Sequence, residues 1–195
     1  MSQVDLILAS QSPRRRELLE QIGVRFAVDV ADVPEVHQVD ESPSDYVQRL
    51  ALAKAKKISE RRSDGIAVLG ADTIGVCNGL ILEKPTDLDD AKRMLKLMAG
   101  NCHQVISAVA VVCSGRQAVG VSETSVRFKE TIDDCLIEKY WQTGEPQDKS
   151  GSYAIQGLGA VFVESIQGSY SNVVGLPIEV VTPILAQFDV PIWSA

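Results

Sequence analysis

The chain has 195 residues, 45% of them hydrophobic, which is enough apolar material for one sizeable core and excludes an intrinsically disordered chain. Its formal net charge of −7 argues against broad binding to nucleic acid or to an anionic membrane, so a local cluster of arginines stands out. No apolar run approaches the roughly 18 residues of a membrane span, and residues 1–10 lack a signal-peptide pattern, so a cytoplasmic location is expected.

Val4–Ala9 is a short apolar run suited to a buried strand. Ser12 can cap the helix that follows and Pro13 suits its first position, which places Arg14, Arg15 and Arg16 in the first turn. Leu18, Leu19 and Ile22 make an apolar face, and Gly23 ends the helix. Cations at a helix N-terminus oppose the macrodipole by roughly 0.3–1 kcal/mol each when exposed. A bound anion reverses that sign, because backbone N–H groups, dipole and guanidinium forks would all point at it. On that argument, losing Arg14 or Arg15 should leave the unliganded protein no less stable. Successive helical residues lie about 100° apart, so all three arginines cannot face one ligand, and Arg16 reads as solvated.

Val24–Val30 reads as a second strand, and Ala31–Glu41 as an acidic loop with Asp32, Glu35, Asp40 and Glu41. Ser42-Pro43 opens a helix to about Arg61, with Tyr46, Leu50 and Ala53 inward and a Lys-rich outer face. Ile66–Ala71 is a third buried strand. Asp72, in the run Gly70-Ala71-Asp72-Thr73, would then stand at its exit, where α/β proteins bind ligands, or would merely cap the next turn. Asn78-Gly79 predicts a tight hairpin, and a helix from about Asp87 to Ala99 stops at Gly100.

Two long strands, Cys102–Cys113 and Arg116–Phe128, join at Ser114-Gly115 and require an antiparallel part of the sheet. Thr131 with Asp134 opens a helix ending near Gly144, Lys149–Gly159 is a loop, Val161–Ile166 a strand and Pro177–Phe188 the last helix. The expected fold is a single α/β domain over residues 1–195, an elongated mixed β-sheet with flanking helices and a central cleft.

Cys77, Cys102, Cys113 and Cys135 form no C-x-x-C pair and, with only His37 and His103, spell no zinc site. Buried reduced thiols and structural histidines are expected. Neither the Walker nor the Rossmann glycine pattern is present. Glu35, Lys54, Asp72 and the run Glu83-Lys84-Pro85 interleave carboxylates with lysines, which suits a site holding a divalent cation and phosphate oxygens, and equally an ordinary wet surface.

The segments LASQSPRRRELLEQIG, GADT, EKP, GSYAIQG and GSYSNVVGLPIE, in that order from Leu6 to about Leu185, resemble the Maf family of nucleoside-triphosphate pyrophosphatases. The resemblance implies a fold related to the inosine-triphosphate pyrophosphatases and a cytoplasmic house-cleaning activity. It also implies a divalent cation, Mg or Mn, a homodimer, and hydrolysis of a nucleoside triphosphate to monophosphate and diphosphate. Asp72-Thr73 and Tyr153–Gly157 are similar to the branch acting on dTTP and UTP. The branch acting on 7-methyl-GTP instead has Asp-Gln at the first site and an acidic residue before the glycine at the second.

The chemistry of the bases agrees. Uracil and thymine show one N–H between two carbonyls, an edge that the Gln156 amide can match, whereas a flipped amide would read cytosine unless Thr73 fixes it. By resemblance, Asp72 is the base, Glu35 and Asp72 hold the metal, and Lys84 stabilises the leaving diphosphate. Arg14, Arg15 and Ser10 grip phosphate, Lys54 assists, and Arg14, Thr73 and Gln156 set substrate choice. Two alternatives stand beside this expectation. One is a nucleotide-binding regulator of septum formation with little turnover, and the other a pyrophosphatase preferring CTP or modified nucleotides. A nucleic-acid-binding factor is opposed by the acidic balance.

Overall fold

Strands and helices alternate through the first half of the chain, and a long hairpin opens the second, in a computed structural model that describes residues 4–30 and 32–194. Ala31, at the head of the expected acidic loop, lies outside the described residues, as do the two ends of the expected 1–195 domain. The first half comprises β1 (Leu6–Leu8), α1 (Pro13–Gln21), β2 (Phe26–Val28), α2 (Pro43–Ser59), β3 (Ala67–Cys77), β4 (Leu80–Leu82) and α3 (Leu88–Met98). The second comprises β5 (Cys102–Cys113), β6 (Arg116–Phe128), α4 (Asp134–Gln142), β7 (Val163–Gln167), α5 (Tyr170–Val174) and α6 (Ile178–Gln187). Short 3₁₀ turns fill Glu145–Asp148, Ser150–Ser152 and Leu158–Phe162.

The seven strands form one sheet in the order β2-β1-β3-β5-β6-β7, with β4 on β3. β1 runs parallel to β2 and β3, with Leu6 opposite both Phe26 and Ala67. β4 is antiparallel to β3 with Gly75 opposite Leu82, and β7 is antiparallel to β6. The sheet is therefore mixed and the class α/β, as expected. The described residues fall into two compact units, Met1–Asp72 with Ser107–Ser122 and Gly175–Ala195, and Thr73–Ile106 with Glu123–Val174. The first buries Leu6, Ile7, Leu8, Leu19, Leu50, Ile58 and Leu69, and the second Leu82, Leu95, Met98, Phe128 and Phe162.

Local chemistry accounts for most boundaries. The Ser42 hydroxyl accepts the Asp45 N–H at 3.1 Å to start α2, and Asp87 accepts the Asp90 N–H at 2.8 Å to start α3. Asn78 and Gly79 both have positive φ, 50° and 78°, as a two-residue hairpin turn requires.

Several expectations are corrected. Ser12 occupies the cap position of α1 but its side chain makes no capping bond; its own N–H donates to Ser10 Oγ at 3.2 Å. β3 does not end at Ala71 but continues through Asp72 to Cys77, because the run after Asp72 is rich in β-branched residues and pairs with β4. α4 is capped by Asp133, which accepts the Leu136 N–H at 2.8 Å, rather than opened by Thr131 with Asp134. Val161 and Phe162 lie in a 3₁₀ turn before β7, and the short α5 was not expected. Ala53, expected inward, is half-buried, and of the lysines on α2 Lys54 is buried while Lys56 and Lys57 are exposed. Only Cys77 is a buried thiol; Cys102 and Cys135 are exposed, Cys113 is half-buried, and all four are free. Among the described residues, no helix is long and apolar enough to cross a membrane.

Candidate active site

In α2, the residues Tyr46, Val47, Leu50, Ala51, Lys54, Ala55 and Ile58 recur at helical spacing and form the buried face. That face lies hard against β3 at Gly70. A Cβ built there would come 2.2 Å from the Ala51 carbonyl oxygen and 2.7 Å from the Ala55 nitrogen. Only glycine permits so close an approach of helix to strand. Asp72 is two residues on and shares the strand face of Gly70, so it too points at α2, where Lys54 meets it. The Lys54 ammonium donates to Asp72 Oδ1 at 2.6 Å and lies 2.6 Å from Glu35 Oε1. Lys54 and Asp72 are 8% and 7% exposed, whereas Glu35 reaches in from an exposed loop.

The Arg15 side chain, half-buried on α1, ties the same unit together. Its Nε donates to the Gly175 carbonyl at 2.9 Å and its Nη1 to Ser10 Oγ at 3.1 Å. Ser10, buried after β1, thus accepts from both Arg15 and the Ser12 N–H, which leaves its own proton to donate. Arg15 therefore makes structural contacts that the dipole argument left out, and its loss would remove both hydrogen bonds from the unliganded fold. Burial lowers the Arg15 guanidinium from its ordinary range, with Arg14 acting in the same sense and Asp72 and Glu35 opposing. Burial likewise raises the Asp72 carboxyl, against the pull of Lys54 and Arg15. Arg16 is exposed and donates to the Gln11 carbonyl at 2.9 Å, in keeping with a solvated role.

The first unit thus holds two contacting sets, Ser10 with Arg15 and Lys54 with Asp72 and Glu35, and Arg15 feels the charges of Asp72 and Glu35, with Arg14 half-buried next to it in sequence. The remaining predicted residues belong to the second unit. Thr73 follows Asp72 on β3 but its side chain points to the opposite face of the strand, and its carbonyl accepts from Ser150 Oγ at 3.4 Å. Lys84 is exposed in the segment after β4. Gln156 is exposed in a turn whose neighbours Tyr153, Ala154 and Ile155 are buried.

Beneath that turn, Tyr153 Oη lies 2.8 Å from His103 Nε2, and both rings stand edge-on to Phe128. Burial raises the Tyr153 phenol and pushes His103 down to about 4. Among the described residues, His103 Nδ1 has no hydrogen-bond partner. His103 is therefore the neutral, structural histidine that was expected, and His37 packs edge-on to Tyr46.

Sequence reasoning missed Gly70 and the Gly175 carbonyl. A glycine two residues before a strand carboxylate was the available signal for the first; the second contact spans 160 residues and leaves no local trace. Among the described residues, no group of three or more His, Cys, Asp or Glu side chains could hold a metal ion. Two carboxylates, Glu35 and Asp72, do converge on one cationic nitrogen. Such hard oxygen donors suit Mg or Mn, which commonly take one or two protein carboxylates and complete their shell with phosphate and water.

Comparison with known proteins covers nearly the whole chain. Residues 5–188 match the family described as Maf-like protein. A dTTP/UTP pyrophosphatase of Saccharophagus degradans is 51% identical over 193 residues, covering 97% of this chain and 91% of the relative. One of Photobacterium profundum is also 51% identical over 193 residues, covering 96% of this chain and 97% of the relative. A crystal structure of a nucleoside-triphosphatase / dITP/XTP pyrophosphatase from Mycobacterium abscessus overlaps with a TM-score of 0.42 at 18% identity, covering 66% of this chain and 74% of that one. A likeness that weak carries no argument here.

Proposed function

This chain belongs to the Maf-like protein family, and on that premise we propose that it hydrolyses dTTP and UTP to the nucleoside monophosphate and diphosphate. The observation that carries the reading is the buried Lys54, held between Asp72 and Glu35 in the unit that also orders Ser10 and Arg15. Relatives at about half identity over nearly their whole length, named dTTP/UTP pyrophosphatases, support the substrate.

Arg14 and Arg15 take phosphate oxygens by charge-assisted hydrogen bonds, and the Ser10 hydroxyl donates the proton that its two acceptor contacts leave over. Asp72 accepts the proton of the attacking water. The new bond forms between water oxygen and the α-phosphorus, and the bond from that phosphorus to the bridging oxygen breaks, with Lys84 stabilising the departing diphosphate. Lys54 holds Asp72 and Glu35 in register. A divalent cation, Mg or Mn, held by Glu35 and Asp72 with phosphate oxygens, would neutralise triphosphate charge and lower the pKa of bound water. Thr73 and Gln156, with Arg14, select the pyrimidine edge, a role that rests on the family's motifs. The protein works as a single-domain, cytoplasmic, homodimeric enzyme of nucleotide-pool house-cleaning.

The test is incubation of the purified protein with each nucleoside triphosphate and Mg or Mn, with assay of monophosphate and diphosphate. Preferential release of dTMP and UMP with diphosphate is expected. Nucleotide binding without turnover would replace this reading with that of a regulator, and preference for CTP would overturn the base assignment.

A further inference from the structure

The turn that carries Gln156 is pinned at both ends by one pair of side chains from outside it. Tyr140, on α4, accepts the Ala154 N–H at 3.1 Å through its hydroxyl and donates the same hydroxyl to Glu145 Oε1 at 2.7 Å. Glu145 accepts the Gly159 N–H at 2.9 Å on Oε1 and the Leu158 N–H at 3.0 Å on Oε2. Three backbone donors within Ala154–Gly159 thus end on a single hydrogen-bonded pair, and Gln156 is the exposed residue between them.

Both glycines of the turn are pressed against the pair. A Cβ at Gly157 would come 2.2 Å from Glu145 Oε2, and one at Gly159 would come 2.6 Å from the Tyr140 hydroxyl. The pair is itself held from below. The Tyr140 ring stands edge-on to Phe162 at 5.1 Å between centroids, and the Glu145 N–H donates to Thr143 Oγ1, whose hydroxyl donates to the Tyr140 carbonyl. Protonation states match these roles. Burial works against the Glu145 carboxylate, but the Leu158 N–H, the Tyr140 hydroxyl and the Gly159 N–H together hold it below its ordinary range. Burial and the facing carboxylate raise the Tyr140 phenol, so it keeps its proton to donate.

We propose that Tyr140 and Glu145 are positioning residues for base selection: they lock the Ala154–Gly159 turn so that the Gln156 amide is presented in one place, and they touch no part of the nucleotide. This rests on the reading of Gln156 as the base-contacting residue. A side-chain amide on a loose loop would have to be ordered at each binding event, and that entropy would be taken from the energy of base recognition.

The experiment compares kcat/KM for UTP with kcat/KM for ribose 5-triphosphate, which lacks a base, in the parent and in Tyr140→Phe, Glu145→Gln and Gln156→Ala. In Tyr140→Phe the hydroxyl that bridges Ala154 and Glu145 is removed. In Glu145→Gln an amide NH2 must face a backbone N–H on one side or the other. Both should lower the UTP-to-abasic ratio about tenfold, the scale of one lost hydrogen bond, while turnover of the abasic substrate stays within about twofold of the parent. Amide hydrogen exchange at Ala154, Leu158 and Gly159 should quicken in the same variants, with β5 unchanged. A fall in both substrates in step would show that the pair merely supports the fold and would overturn the proposal. If Gln156→Ala lowers the ratio and the other two do not, the positioning role fails and the base reading survives. If Gln156→Ala leaves the ratio unchanged, both fail.

Discussion

In the first unit, Lys54 and Asp72 are buried facing each other at 2.6 Å, with Arg15 beside them. In the second, the buried polar groups include the neutral rings of His103, Tyr153 and Tyr140, and the half-buried carboxylate of Glu145 beside Tyr140 takes a hydroxyl and two backbone N–H groups. Ions moved out of water keep much of their desolvation penalty even when paired, so a cluster with cations in excess becomes more favourable when an anion joins it. Arg14, Arg15 and Lys54 set three cations against the carboxylates of Glu35 and Asp72, which suits a polyanion. The Glu145 carboxylate needs no such completion, because the hydroxyl and the two N–H groups already satisfy it, and its work is to hold backbone still. Several ions are gathered where a charged ligand is proposed to bind, and fully hydrogen-bonded groups stand where the backbone must keep its geometry.

The largest effect should come from breaking the ionic cluster at its proposed base. Asp72→Asn keeps the size of the side chain and removes its capacity to accept a proton, so turnover should fall by about 10²–10⁴ in a protein that still folds. Monophosphate release, with circular dichroism as the control for folding, measures it; near-normal turnover would remove Asp72 from that role.

On the neutral side, the sharpest probe is pH. His103 titrates near 6.5 when unfolded and at about 4 when folded, so between those values the unfolded chain binds the extra proton and stability falls as pH falls. From pH 7 to pH 4.5 this one residue should cost about 2–3 kcal/mol. His103→Gln should flatten the pH dependence of urea melts by that amount; an unchanged slope would contradict the burial of a neutral imidazole.

Gln156→Glu sets a carboxylate, which only accepts, against a pyrimidine carbonyl. It should lower kcat/KM for UTP and dTTP roughly ten- to hundredfold, with residual activity moved toward GTP. Values within twofold of the parent would take base reading away from Gln156.

The smallest expected change is Arg15→Lys. Replacing the guanidinium fork leaves Ser10 Oγ and the Gly175 carbonyl with a single point donor between them, for a loss of about 1 kcal/mol in the unliganded protein. Stabilisation by a non-hydrolysable UTP analogue should weaken as well. Thermal melts with and without the analogue read both; full stability with a normal ligand response would show that the fork matters to neither.

How far these features can be read from residues alone depends on their range. β5 and β6 run from Cys102 to Cys113 and from Arg116 to Phe128, the spans expected from a continuous apolar run and a two-residue turn, because both signals are local. β3 was cut short at Asp72 because a carboxylate inside a buried strand violates the apolar pattern, and the partner that makes it tolerable, Lys54, is 18 residues away. A Lys-rich outer face of α2 is right for Lys56 and Lys57, which are exposed, but it does not describe Lys54. Its position four residues after the buried Leu50 was the better guide. The Tyr140–Glu145 pair had no signature at all, since its contacts with the turn span 13 and 14 residues and join side chain to backbone.

Water attack at the α-phosphorus of a pyrimidine nucleoside triphosphate can be followed by hydrolysing UTP in ¹⁸O-enriched water and locating the label by mass spectrometry. Attack there leaves one heavy oxygen in the UMP and none in the diphosphate. Label in the diphosphate would place the attack on the β-phosphorus, and labelled orthophosphate with UDP would place it on the γ-phosphorus; either result would contradict the mechanism assigned to Asp72 and Lys84.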